Sequence, residues 1–211
     1  RELVDPRAQL PFDQLTNDLY GRPYQAHATL GAINCDDYSV TDVIKKDNLT
    51  KTTEGSSTVV HLFVDPSATA TDYDGKAGAS WDTPLRYLNN ALEFVRLERQ
   101  DAANAATIYR IHVKQGTVTN VDHFEQHTTY VRSIDFPLYS NVQIYGGYSS
   151  SLTGTDVDAA SRDPLKYPTV ITAATVQNDY SMNALQLLTM KGAENVVVDG
   201  VELQFANATA T

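Results

Sequence analysis

Short apolar runs rich in β-branched residues constrain the fold of this chain more than any other feature. Two of them, Val59–Val64 and Ile108–Val113, precede a series that continues from Val142 to the end of the chain without an intervening helical pattern. The series reads VQIYGGY, TVIT, ALQLLTM, VVVDG and VELQF. Runs of this length and composition predict strands. Their succession favours stacked strands that bury apolar side chains only against their neighbours, although a β-sandwich would give similar runs.

One helical pattern interrupts these runs. Its apolar stripe has the spacing i, i+3, i+6, i+7 and i+10, and consists of Leu85, Leu88, Ala91, Leu92 and Val95. Asp82 or Thr83 can cap the start, and Pro84 suits the first helical turn because its missing N–H costs nothing there. We therefore predict a single long helix over Pro84–Arg99, with Leu88 in the buried stripe.

The stretch DYDGKAGASW, just before this helix, has the acidic residues and glycines of a calcium loop. Such loops need oxygen ligands at alternate positions and a bidentate carboxylate at the twelfth. With Asp72 and Asp74 as third and fifth ligands, Ala70 and Trp81 fall at the first and twelfth positions, where neither side chain can ligate. We therefore predict a turn that directs the helix, with Trp81 as its packing anchor and without a metal ion.

Composition restricts the function classes. The 211 residues carry a formal net charge of -10, which argues against binding to a nucleic-acid backbone or to an anionic lipid surface. The single cysteine, Cys35, excludes a disulfide within the chain. No apolar run approaches the ~20 residues that span a bilayer, so no transmembrane segment is predicted. The opening RELVDPRAQL has neither a starting Met nor a signal peptide, which predicts a mature product or an excised piece.

An ordered series of motifs resembles a known family. The series is VDPSATATDYDGKAGASWDTPLRYLNNALEFV, IYRIHVKQGTV, NVQIYGGYSSSLTGTDVDAASRDPLKYPTVIT and NVVVDGVELQFANA. It is similar to the start of the pectin-lyase-like domains of secreted and cell-surface proteins of Bacteroidetes-type bacteria. The resemblance implies an all-β, right-handed parallel β-helix, a solenoid with one N-terminal capping α-helix. Two departures are Tyr148, where the family usually has Phe, and Ser80, which follows the glycine turn late.

The resemblance also implies a division of the chain into three segments. Residues 58–211 would be the N-terminal part of the β-helix domain. Residues 38–57, which are polar and Thr-rich, predict a linker. Residues 1–37 contain DLYGRPYQAHATLGAIN, which is similar to the end of such domains. They would be the tail of a preceding domain or an N-terminal extension.

Several residues have predicted structural roles. Gly146 and Gly147 allow the positive φ that a sharp turn requires. Arg162 and Asp163 are predicted to hold the long Tyr148–Pro168 loop in place by hydrogen bonds, in preference to a catalytic role. The helix is predicted to cover the open end of the first strands, which would otherwise expose unpaired backbone groups.

We weighed three candidate catalytic or metal-binding pairs. Asp156 and Asp158 are paired carboxylates in a Ser/Thr/Gly-rich loop, where solvation is the commoner explanation. His123 and His127 have the spacing of metal ligands on a helix, but no third ligand has a diagnostic spacing. His61 and His112 lie within strand patterns and are predicted to face solvent. The sequence therefore predicts neither catalytic residues nor a metal site, and no cofactor.

Tyrosine is the commonest aromatic residue, with 12 copies against six Phe and one Trp. A tyrosine ring combines an apolar face with a polar tip, which suits sugar rings or protein partners. The candidate ligand-binding residues are Tyr139, Tyr145, Tyr148, Tyr167 and Tyr180. Packing against the strands is the alternative for each of them.

Three functions remain open from the sequence. The first is a non-catalytic module of a larger secreted or cell-surface bacterial protein that serves adhesion or binds a glycan or another partner. The second is a polysaccharide lyase or glycoside hydrolase of the pectin-lyase-like class, and the third is a structural spacer. The expected partners are a polysaccharide or a surface protein, and further strands or another chain at the C-terminal edge. The expected location is extracellular or on the bacterial outer surface.

Overall fold

The computed structural model describes residues 40–69, 75–119, 136–173 and 186–206, except for the side chains of Asp42 and Ala159. The chain divides into two units, Arg1–Ser39 and Val40–Thr211, and all described residues belong to the second. The α-helices in its described residues are α1 (Val40–Val43) and α2 (Leu88–Glu98). Its strands are β1 (Lys51–Glu54), β2 (Ser57–Val64), β3 (Ile108–Lys114), β4 (Gly116–Thr119), β5 (Phe136–Pro137), β6 (Val142–Tyr148), β7 (Thr169–Thr172), β8 (Leu188–Thr189), β9 (Val197–Asp199) and β10 (Val201–Gln204).

The described strands form three sheets. The largest has the order β1-β2-β3-β6-β9, the second has the order β10-β7-β4, and the third pairs β5 with β8. In the largest sheet β1 is antiparallel to β2, whereas β2, β3, β6 and β9 are parallel. The other two sheets are parallel.

The predicted fold class, an all-β right-handed parallel β-helix with a capping helix, is wrong. The described residues form a mixed α/β arrangement, because the largest sheet contains both strand directions and α2 packs into the same core as the strands. Apolar runs indicate where strands lie, but they carry no information on strand direction or order. The runs therefore located most of the strands without specifying how they pair.

The segment before β2 contributes the antiparallel strand. Within the predicted linker, the described residues from Val40 onward form α1, a 3-10 turn over Lys46–Asn48 and β1. Gly55 adopts a φ of 59° between β1 and β2, which a two-residue hairpin turn requires. All residues of β1 are exposed, so no apolar alternation marks it as a strand.

The amphipathic helix begins four residues later than predicted, at Leu88 instead of Pro84. The backbone before it is extended, because the Leu85 N–H donates to the Phe63 carbonyl and the Asp65 N–H donates to the Leu85 carbonyl, each at 2.8 Å. These two bonds join Leu85 to the end of β2 and exclude helical pairing there. The buried residues of α2 are Leu88, Ala91, Leu92, Phe94 and Val95.

One face of the largest sheet contributes to the main core. Leu62, Ile111 and Ile144 lie in register on β2, β3 and β6, and all three are fully buried. The apolar stripe of α2 belongs to the same cluster. Phe136 of β5 and Ile171 of β7 also join it, so the core links all three sheets.

Some sequence predictions concern residues outside the described ranges. They are the segment 1–37 with Cys35, the acidic turn with Asp72 and Asp74, the pair His123 and His127, and the candidate Tyr180.

Replacement of Leu88 by Asp tests the packing of α2. Leu88 is 0% exposed, so the variant buries an unpaired charge and should lose on the order of 3 kcal/mol or more of unfolding free energy. Urea denaturation of both proteins measures the difference. Leu165→Asp is the matched control, because Leu165 is 97% exposed and its replacement should leave the midpoint unchanged. Equal midpoints for Leu88→Asp and wild type would contradict the packing of this helix face.

Candidate functional site

The second face of the largest sheet, which we call the outer face, carries aromatic and polar side chains. Strand alternation directs them away from the core that Leu62, Ile111 and Ile144 form on the opposite face. The outer-face residues are His61 and Phe63 of β2, Arg110, His112 and Lys114 of β3, Gln143, Tyr145 and Tyr148 of β6, and Asp199 of β9. Tyr148 joins this face because the β3–β6 register shifts between His112 and Lys114.

A hydrogen-bonded network crosses the outer face from the surface into the interior. Thr52 Oγ1 lies 2.8 Å from His61 Nε2, and His61 Nδ1 lies 3.0 Å from His112 Nε2. His112 Nδ1 lies 2.8 Å from the Tyr148 hydroxyl. Thr52 is exposed, whereas His61, His112 and Tyr148 are 3%, 2% and 2% exposed. We call these four residues the His–His–Tyr network.

The direction of these hydrogen bonds follows from the Tyr148 hydroxyl. Within the described residues its only hydrogen-bond partner is His112, so its proton is satisfied only if it donates to His112 Nδ1. His112 Nε2–H then donates to His61 Nδ1, and His61 Nε2–H donates to Thr52, whose own proton can reach solvent. The opposite direction would leave a buried hydroxyl proton without an acceptor, at a cost of about 1–3 kcal/mol. Both histidines are therefore neutral with the proton on Nε2.

Burial determines the protonation states in the network. Burial lowers the pKa of His112 to about 2, and the positive charges of Arg110 and Arg162 act in the same direction. Burial also lowers the pKa of His61, with Arg110 as a second cause and Glu54 opposing it. Burial raises the pKa of Tyr148 to about 12. The network is thus held uncharged at neutral pH.

The prediction that His61 and His112 face solvent is wrong. The alternation correctly separates them from the main core, but a second layer covers them. Phe63, Trp81 and Tyr148 form a separate buried apolar cluster, against which Leu152 and Val157 pack. The His61 and His112 rings are stacked with centroids 5.2 Å apart, and Trp81 lies 6.4 Å from His112.

Two segments meet above the histidines. The Trp81 indole N–H donates to the Asp156 carbonyl and the Trp81 backbone N–H donates to the Gly154 carbonyl, each at 2.7 Å. The Gly154 N–H in turn donates to the Asp82 carboxylate at 3.0 Å. We call Trp81, Asp82 and residues 152–157 the cover. Trp81 is 3% exposed and is held both by its ring contacts and by this loop.

Ion pairs surround the cover and the network. Lys114 is buried and pairs with Asp65 at 3.2 Å. Arg110 forms a two-point pair with Glu54 at 2.7 and 3.0 Å, and this hydrogen bonding lowers the pKa of Glu54. A third pair joins Arg162 to Asp199 at 2.8 Å. The main cationic groups of the outer face are therefore already neutralised by carboxylates.

Arg162 and Asp163 join the long loop to the end of β6. Arg162 Nε donates to the Gly146 carbonyl at 2.5 Å, and the Asp163 backbone N–H donates to the Gly147 carbonyl at 2.8 Å. Gly147 has a φ of 89°, which favours glycine. Gly146 does not have the positive φ predicted for it: a Cβ there would lie 2.8 Å from Thr169 Cβ, so close packing is what requires this glycine.

The candidate tyrosines occupy different places. Tyr145 and Tyr148 lie on the outer face beside His112, with ring centroids 6.3 and 5.4 Å from it. Tyr139 packs against the main core, and Tyr167 contacts the Lys166 ammonium group at 5.0 Å. Tyr145 is half-buried, and the guanidinium groups of Arg162 and Arg110 lie 5.1 and 5.7 Å from its ring.

The paired carboxylates Asp156 and Asp158 belong to a local turn. The Asp156 carboxylate accepts hydrogen bonds from the Ser161 hydroxyl at 2.9 Å and from the Asp158 N–H at 3.1 Å. Both aspartates are exposed. Within the described ranges, no group of three or more His, Cys, Asp or Glu side chains is arranged to hold a metal ion.

Comparison with known proteins gives no significant match to a protein-family model, a curated protein or a solved structure. The helices that the structure describes are all too short or too polar to cross a membrane. Sequence reasoning missed the His–His–Tyr network, and the only available signal was the presence of a histidine in each of two strand-like runs, VVHLFV and IYRIHV.

The neutral histidines predict a pH-dependent stability. Because the pKa of His112 is lower in the folded protein than its unfolded value of about 6.5, the folded state binds fewer protons, and acidification below that value favours unfolding. The unfolding free energy should fall by up to about 1.4 kcal/mol per pH unit for each such histidine. Urea denaturation between pH 8 and 5 measures this slope. His112→Gln should show a smaller slope, and identical slopes in both proteins would exclude His112 as the source.

Proposed function

We propose that this chain is a non-catalytic binding module of a secreted or cell-surface bacterial protein, which serves adhesion through a glycan or a protein partner. The observation that carries the proposal is the arrangement of half-exposed polar groups around Tyr145. The side chains of Glu54 and Asp199 are 50% and 55% exposed, while their partners Arg110 and Arg162 are 18% and 16% exposed. The resemblance to bacterial surface proteins supports the proposed location.

The pairing of charges supports binding rather than proton transfer. A general acid or base needs a free protonation site within reach of the substrate. Here Arg110 holds Glu54 and Arg162 holds Asp199, while His61 and His112 bond to each other. Fixed ion pairs hold donors and acceptors in constant positions, which reduces the side-chain entropy that the module itself must lose on binding. His112 and two guanidinium groups surround the Tyr145 ring, so we expect its hydroxyl edge, more than its face, to contact a ligand.

Replacement of Tyr145 by Phe tests this role. The variant keeps the ring and its stacking on His112 but loses the hydroxyl, so affinity for a bound glycan should fall about three- to tenfold, the value of one hydrogen bond. Binding is measured on a panel of neutral and acidic glycans, followed by calorimetry on any hit. Tyr167→Phe is the control, because Tyr167 lies in a different contact with Lys166. Release of unsaturated sugar from acidic polysaccharides would instead favour the lyase, and a wild type that binds no glycan and no protein would favour the spacer.

We also propose that further strands or another chain pair with the edge formed by β8, β9 and β10. Among the strands that the structure describes, each of these three lies at an edge of its sheet. Val118, Ile171 and Leu203 lie in register across β4, β7 and β10, and their exposures are 4%, 0% and 50%. The row of apolar side chains thus continues onto β10, where Leu203 is half exposed. An uncovered edge strand is a template for strand addition.

Leu203→Lys tests whether this edge mediates association. A lysine on an edge strand opposes pairing with another strand, so concentration-dependent association in sedimentation velocity should decrease several-fold. The Lys side chain can remain in solvent, and the fold should be preserved. Leu165→Lys adds the same charge at a site that is 97% exposed and outside the three strands. An equal effect of both variants, or a wild type that stays monomeric at every concentration, would contradict pairing between copies of this chain along the edge.

A further inference from the structure

The buried pair His61 and His112 can hold only a limited number of protons. Their facing nitrogens, His61 Nδ1 and His112 Nε2, are 3.0 Å apart, so one proton fits between them and two do not. In the neutral network that proton belongs to His112, as the requirement of the Tyr148 hydroxyl dictates. A second proton can bind only at His61 Nδ1 or His112 Nδ1, because both Nε2 atoms already carry a proton in the neutral network.

A proton from solvent that binds to the pair removes one hydrogen bond from the network. On His61 Nδ1 it would oppose the existing Nε2–H of His112, whose nitrogen is 3.0 Å away. On His112 Nδ1 it would point at the Tyr148 oxygen, and the Tyr148 proton would lose its acceptor, within the described residues its only one. Protonation of the pair therefore breaks a hydrogen bond beneath the cover at either site.

Fixed charges around the network oppose an added positive charge. The ionisable groups around the two histidines come from every neighbouring element: Glu54 on β1, Asp65 after β2, Arg110 and Lys114 on β3, Tyr145 and Tyr148 on β6, Asp199 on β9, and Asp82, Asp156 and Arg162 in the loops. Lys114, Arg110 and Arg162 are each paired with a carboxylate. The positive charges of Arg110 and Arg162 act against protonation of His112. Arg110 also acts against protonation of His61, and more strongly than Glu54 favours it.

The cover is attached to the outer face by side-chain packing. Three hydrogen bonds, which join Trp81 and Asp82 to Gly154 and Asp156, lie within the cover itself. The Trp81 ring packs against Phe63, His112 and Tyr148 and lies 5.2 Å from the Lys114 ammonium group. Of the loop side chains, Leu152 and Val157 pack on the Phe63–Trp81–Tyr148 cluster and are only partly buried. The sheet is held by the fully buried core on its other face. Water can therefore reach a charged histidine pair at a lower cost by displacement of the cover than by separation of the strands.

We propose that the His–His–Tyr network is an acid-sensitive conformational switch: protonation of the histidine pair displaces the cover, including the Trp81 indole, from the outer face while the sheet remains folded. The open state exposes Phe63 and Tyr148 beside Tyr145, and thereby creates an aromatic surface that is absent at neutral pH. This conformational change does not depend on the proposed binding function.

The fluorescence of Trp81 reports the cover directly, because Trp81 is the only tryptophan of the chain. The protein is titrated from pH 8 to pH 3, with emission maximum and acrylamide quenching followed together with far-ultraviolet circular dichroism. We expect emission to shift to longer wavelength and quenching to increase below pH 6.5, while the circular dichroism is unchanged, and the change to reverse at pH 7. A fluorescence change that coincides with loss of circular dichroism, or its absence above pH 4, would overturn the proposal.

Two histidine variants and one carboxylate variant identify the titrating group. His112→Gln removes the buried titratable ring, and we expect the fluorescence midpoint to move down by at least one pH unit or to disappear. His61→Gln should do the same, and it provides the test if His112→Gln does not fold. Asp82→Asn is the matched control for the carboxylate that accepts from Gly154, and it should keep the wild-type midpoint. A midpoint that moves in Asp82→Asn but not in either histidine variant would assign the transition to the cover carboxylate and overturn the proposal.

Discussion

Burial of β3 on both faces is the constraint on which the rest of the structure depends. Its core face carries Ile111, but its outer face carries His112 and Lys114, which are only 2% and 4% exposed. A buried polar group without a partner costs more than the burial of several methylene groups supplies. The partners come from both neighbouring strands and from the turn after β2, where Asp65 pairs with Lys114. β3 can therefore be buried on both faces only when all of these partners are in place.

The sequence predicted local structure better than architecture. The apolar runs correctly indicated β2, β3, β6 and β7, since each is an alternating or continuous β-branched run with turns on both sides. The stripe of Leu88 and Leu92 indicated α2, and the predicted start was four residues too early, because Leu85 pairs with the end of β2. Strand direction depends on long-range contacts that periodicity does not contain. The antiparallel β1 was missed because all of its residues are exposed, and with it the mixed character of the largest sheet.

The candidate site was also only partly predicted from the sequence. Alternation assigned His61 and His112 to the face opposite the core, which is correct, and then assigned that face to solvent, which is not. The cover comes from residues far away in sequence, since Trp81 bonds to the carbonyl of Asp156. Trp81 was expected to anchor the helix, yet its ring contacts are with Phe63, His112 and Tyr148 on the outer face. The alternation of residues within one strand does not show whether a second layer of residues covers its outer face.

Burial of the core residues decreases from the central strands of the largest sheet toward β9. Leu62, Ile111 and Ile144 are fully buried, whereas Val198, in register with them on β9, is only partly buried. Backbone amides that pair β9 with β6 need only a small local opening to exchange with solvent, and those between β2 and β3 need the whole core to open. Amide protection should therefore decline in steps from β3 through β6 to β9. The largest sheet is thus most persistent at its central strands and less so toward β9, and its cooperativity is greatest where both of its faces are covered.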